Sequence, residues 1–147
     1  MRNNRNPVVL VADDDPDDRM LTKEAFEQGP YHNRLNFVVD GEDLMDYLLH
    51  RSVYNAENAP RPNLILLDLN MPKKDGREAL SEIKQHPDLR QIPVVVLTTS
   101  KLEEDVYQSY DLGANSFIIK PATFENLVSI TAKIGQYWLD LVKLPSC

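Results

Sequence analysis

The chain has 147 residues, with 16 Lys and Arg against 23 Asp and Glu, a net charge of −7. That length suits one domain, and 42% hydrophobic with 27% charged residues describes a folded globular protein that buries its own core. One cysteine, Cys147, excludes a disulfide framework and a thiolate metal site. The acidic balance argues against nucleic acid, and the sequence shows neither a signal peptide nor an apolar run of membrane length.

Apolar runs alternate with helical patterns. Val8 to Ala12 reads as a strand. Asp15 then caps a helix with Pro16 at its first position and acids in its first turn, running to about Gln28 before Gly29-Pro30. Leu35 to Val39 is a second strand, followed by a helix from Gly41 to about Arg51. Residues 52–62, rich in Pro and Asn, read as a loop. Leu64 to Leu67 is a third strand, and a helix runs from Gly76 to about His86. Val94 to Leu97 is a fourth strand. The next helix, Lys101 to about Leu112, places Leu102, Val106 and Tyr110 on one stripe. Ser116 to Ile119 is the fifth strand. A last helix from about Thr123 carries Leu127, Ile130, Ile134, Trp138 and Leu141 on one face. Strands apolar on both faces, alternating with helices, predict an α/β fold: a doubly wound (βα)5 flavodoxin-like parallel sheet. The domain spans 1–147, with a core over about 7–136 and an apolar helix end and tail over about 137–147.

In such a sheet the working site lies at the carboxyl edge of the strands. Asp13, Asp14 and Asp15 follow the first strand and Asp68 follows the third. Thr98, Thr99 and Ser100 follow the fourth, and Lys120-Pro121 the fifth. Helix capping and the helix dipole account for Asp15, Asp17 and Asp18. They do not account for Asp13 and Asp14, which extend an apolar strand directly. Asp13, Asp14 and Asp68 converge, and like charges at ~4 Å in an effective dielectric of ~20 cost roughly 4 kcal/mol. Such a cluster needs a cation or a shared proton. The three His (32, 50 and 86) stand in no ligand spacing, so oxygen donors alone remain and Mg²⁺ fits best. Asp68 is then the candidate nucleophile for phosphoryl chemistry. Lys120 pairs with it, and Thr98 donates to a phosphoryl oxygen.

Four segments, VADDDP (11–16), LLDLNMPKKDG (66–76), VVVLTTS (94–100) and FIIKP (117–121), together resemble the receiver domain of two-component response regulators. The resemblance implies strand order 2-1-3-4-5 and phosphorylation of Asp68 by a sensor histidine kinase phosphohistidine. It assigns Mg²⁺ to Asp14, Asp68 and the Asn70 carbonyl, with Asp13 acting through water. Thr98, the Thr99 backbone and Lys120 hold the phosphoryl group. Thr98 and Phe117 form a switch in which the hydroxyl moves toward the phosphoryl group and the ring turns inward. Phe117 stands where many members carry Tyr. The longer loop and apolar tail are similar to stand-alone regulators that partner cyanobacterial phytochrome kinases, so the expectation is a cytoplasmic regulator, not a turnover enzyme.

Other readings remain at this stage. A flavin-binding module shares the fold, but it needs a phosphate-cradling loop where this chain has Asp-Asp-Asp-Pro. An aspartyl-phosphate phosphatase usually has a second acid where Asn70 stands. A degenerate receiver would serve only as an interaction domain. Tyr137, Val142 and Leu144 are difficult for one domain to bury, which suggests a homodimer through the last helix and the fourth helix–fifth strand face.

Overall fold

The computed structural model describes residues 7–30 and 33–145; His32 and Cys147 lie outside that range. Five parallel strands form one sheet in the order β2-β1-β3-β4-β5: β1 (Val8–Ala12), β2 (Arg34–Val38), β3 (Leu64–Leu67), β4 (Val94–Thr98) and β5 (Ser116–Ile119). The helices are α1 (Pro16–Glu27), α2 (Gly41–Leu48), α3 (Gly76–Gln85), α4 (Glu103–Asp111) and α5 (Phe124–Ile134), and a π-helical stretch (Gly135–Leu141) continues α5.

Every residue of β1, β3 and β4 is buried, so their continuous apolar sequence serves two cores. Leu10, Ala12, Ile65, Leu67, Val94 and Val96 face one way, onto Leu44 and Met45 of α2 and Leu80 and Ile83 of α3. Val9, Val11, Leu64, Leu66, Val95 and Leu97 face the other, onto Phe26 of α1 and Ile134 of α5. This alternation is the two-residue period of a strand. None of the helices in the described residues is long and apolar enough to cross a membrane.

Local chemistry sets the helix starts. Asp15 caps α1, accepting from the Asp17 amide at 2.8 Å, with Pro16 following. Asp75 and Glu78 close a capping box on α3.

Two helix readings need correction. In α4 the buried side chains are Asp105 and Ser109, while Leu102 and Tyr110 are 57% and 49% exposed and Val106 is half-buried. The cause is an ion pair that turns Asp105 inward, described below. At the C-terminus the π-helical turn changes the residue phase. Ile134 is buried and Trp138 half-buried, but Leu141 is 70% exposed instead of lying on the same face. The 52–62 loop is irregular, as expected, and is fastened to the fold. The Tyr54 hydroxyl donates to Asp43 at 2.7 Å, the Tyr47 hydroxyl donates to the Pro60 carbonyl at 2.8 Å, and Ala59 is buried.

Candidate functional site

Three site residues are the first residue past a strand, and each is still tied to the ladder by its amide. Asp13 N–H donates to the Val38 carbonyl at 3.1 Å, Asp68 N–H to Ala12 at 3.0 Å and Lys120 N–H to Thr98 at 2.8 Å. Thr98 itself ends β4 and is buried. Strand register therefore places these side chains on one rim.

Carboxylate oxygens of Asp13, Asp14 and Asp68 lie within 4.8 Å of one another. Lys120 Nζ donates to Asp13 Oδ2 at 2.8 Å, Asp68 Oδ2 at 3.1 Å and Asp18 Oδ2 at 3.1 Å. The other oxygen of Asp68, Oδ1, accepts from the Thr98 hydroxyl at 3.0 Å and from the Asn70 amide at 3.2 Å. One ammonium thus faces several carboxylates. Burial alone pushes the Lys120 amine down, but its hydrogen bond to Asp13 and the charges of Asp68 and Asp13 outweigh it and hold the amine above its ordinary range. Burial pushes the Asp13 carboxyl up, outweighing the hydrogen bonds it accepts from Lys120 and the Asp15 amide. The net negative charge left at the rim suits a hard divalent cation, and Asp14, exposed and not paired to Lys120, is free to ligate one.

The structure brings together Asp13, Asp14, Asp68, Asn70, Thr98 and Lys120. Thr99 lies beside them on the β4–α4 loop, exposed. Phe117 is half-buried against the α2/α3 core, and its amide donates to the Tyr110 hydroxyl of α4 at 3.1 Å. The Thr98 hydroxyl and the Phe117 ring thus both point inward here. Tyr137 is 49% exposed, whereas Val142 and Leu144 are half-buried, Leu144 lining a cleft with Arg61, Ile92 and Pro93.

Asp18 was read as a dipole residue but contacts Lys120. Its helical phase carries the signal, because it sits one turn before buried Thr22 and two before buried Ala25. Asp105 and Arg77 were also missed, and no sequence pattern distinguishes them from ordinary surface charges.

Residues 9–132 match the family model of the response regulator receiver domain. The chain belongs to that family. Response regulator Rcp1 of Synechocystis sp. is similar over 148 residues at 45% identity, covering 99% of this receiver and 99% of Rcp1. The crystal structure of the phosphorylated cyanobacterial phytochrome response regulator RcpA superposes with a TM-score of 0.89 at 44% identity, covering 97% of the receiver and 100% of RcpA. The Mn²⁺-bound form of Rcp1 gives 0.86 at 46% identity, with 95% and 99% covered. The sheet order matches this fold, and the matches do not favour the flavin-binding reading.

Proposed function

We propose that this receiver accepts a phosphoryl group on Asp68 from a phosphohistidine of a sensor kinase. The observation that carries the reading is the placement of Asp68. Its carboxylate is held between the Thr98 hydroxyl and the Lys120 ammonium, at the centre of the acidic rim. An oxygen of Asp68 attacks phosphorus. The donor's phosphorus–nitrogen bond breaks as a phosphorus–oxygen bond forms, and the imidazole leaves with the electron pair. Lys120 and Thr98 then offer their donors to the new phosphoryl oxygens. The metal-holding residues are Asp14, Asp68 and the Asn70 carbonyl, with Asp13 through water, and Mg²⁺ is the ion of choice. Once bound, a divalent ion offsets the charge of carboxylates and phosphoryl group together. The domain acts as a signalling switch, not as a turnover enzyme, and Thr98 and Phe117 report the phosphoryl state.

The phytochrome response regulators among the similar structures support a phytochrome-type kinase as the donor, and we place the pair in the cytoplasm. We take 7–136 as the receiver core. The apolar C-terminal stretch is a self-association surface led by Tyr137, with Val142 and Leu144 at its margin.

Incubation with acetyl phosphate and Mg²⁺, followed by phosphate-affinity electrophoresis, tests the reading. A retarded band that disappears with EDTA and in Asp68→Asn is expected. A band that persists in Asp68→Asn identifies a different acceptor.

A further inference from the structure

The buried charge on α4 has no part in the chemistry above, yet it is wired to it. Asp105 is 8% exposed. Its Oδ1 accepts from Arg77 Nη2 at 2.7 Å, and its Oδ2 accepts from the Ser100 hydroxyl at 2.5 Å. The Ser100 oxygen in turn accepts from the Leu102 amide at 3.4 Å, so one side chain fastens both ends of the β4–α4 loop. The Ser100 amide points back at the Thr98 hydroxyl oxygen at 3.5 Å, and that hydroxyl donates to Asp68 Oδ1 at 3.0 Å.

The chain of contacts also closes on the other side. Arg77 stands 3.6 Å from Asp75, the N-cap of α3. The next residue, Gly76, donates its amide to the Leu69 carbonyl at 2.9 Å and lies against the Asp68 backbone. A continuous ring therefore runs from Asp68 through Thr98, Ser100, Asp105, Arg77 and Asp75 back to the loop that carries Asp68. Charge-assisted bonds to a buried carboxylate are the strong members of such a ring. The Ser100 hydroxyl and the Arg77 guanidinium hold the Asp105 carboxyl below its ordinary range, as expected of a carboxylate that accepts from both.

We propose that Asp105 is a positioning residue for phosphoryl acceptance: through Ser100 it fixes the β4–α4 loop against α3, so that the Thr98 hydroxyl stays aimed at Asp68. Ser100 and Arg77 are its two arms. Loosening either arm frees the loop and lets the hydroxyl swing away from the reacting oxygens. The inference rests on Asp68 as the acceptor and Thr98 as its hydrogen-bond donor.

The test is a double-mutant cycle on the rate of phosphorylation by phosphoramidate with Mg²⁺, using the full chain. Asp105→Ala is expected to slow the reaction about tenfold, the scale of one lost hydrogen bond to a charged group. Ser100→Ala leaves the Arg77–Asp105 pair intact. It is expected to slow the reaction in the same direction with little change in melting temperature, so a fold defect in Asp105→Ala leaves the proposal testable. In a Thr98→Ala background neither change is expected to slow the reaction further. Wild-type rates in both single variants, or the same slowing with and without Thr98, overturn the clamp. Phosphorylation of Asp68→Asn would instead overturn the acceptor assignment beneath it.

Discussion

Lys120 is the cation that pairs with the carboxylates of Asp13, Asp18 and Asp68, and its side chain is only 13% exposed. Replacing it with Met leaves partly buried carboxylates facing one another. The expected cost in metal-free buffer is about 2–3 kcal/mol, less than for a fully buried pair because Asp18 keeps water. Added Mg²⁺ should recover more stability in Lys120→Met than in wild type, since the ion takes over the neutralising role. Denaturant melts with and without Mg²⁺ check both statements, and equal gains would contradict them. Asp105 gives a pH signature. Its folded-state carboxyl titrates below the ordinary aspartate value of 3.8, so the unfolded chain binds the extra proton between the two. Stability from this group is therefore complete above about pH 4 and falls as pH drops through the lowered value. Asp105→Asn should flatten that acid limb in pH-dependent melts, with no effect of the same origin above neutrality.

At the scale of the elements, the strand ends were the most legible part of the site. A strand apolar on both faces that runs directly into Asp, as at Ala12-Asp13 and Leu67-Asp68, marks where the strand ends and the polar rim begins. Strand order then brings residues distant in sequence onto one rim. Helix faces were less legible wherever a polar contact outweighed apolar phase. α4 turns Asp105 inward to meet Arg77 and Ser100, and this leaves Leu102 and Tyr110 to solvent. Tyr110 keeps a task even so, because its hydroxyl accepts the Phe117 amide on edge strand β5. Helix starts also bear on the site. At Gly76 of α3 a Cβ would stand 2.3 Å from the Asp68 carbonyl oxygen and 2.7 Å from Leu69 Cα. Gly76→Ala must therefore displace the loop that carries Asp68. A loss of about 1–3 kcal/mol is expected, together with slower phosphorylation by acetyl phosphate. Unchanged kinetics would show that the loop tolerates the shift.

On the scale of the whole molecule, two cores flank one sheet whose carboxyl edge carries the acidic rim. The phase change at Gly135–Leu141 was not legible, because a π-helical turn has no residue signature that separates it from an α-helix continuing toward Leu141. Its consequence is an exposed Leu141 beside exposed Tyr137, with Leu144 turned toward the cleft near Arg61. Self-association through this surface predicts that Tyr137→Ala, or truncation after residue 136, shifts sedimentation toward monomer. Unchanged association in both would remove it as the interface. The central claim is that Asp68, gathered with Asp13, Asp14, Thr98 and Lys120, is the residue that carries the phosphoryl group. Borohydride reduction of the protein after acetyl phosphate and Mg²⁺, followed by peptide mass spectrometry, tests it most directly. The account predicts homoserine at position 68 and nowhere else; intact Asp68 with homoserine at position 13, 14 or 18 would contradict it.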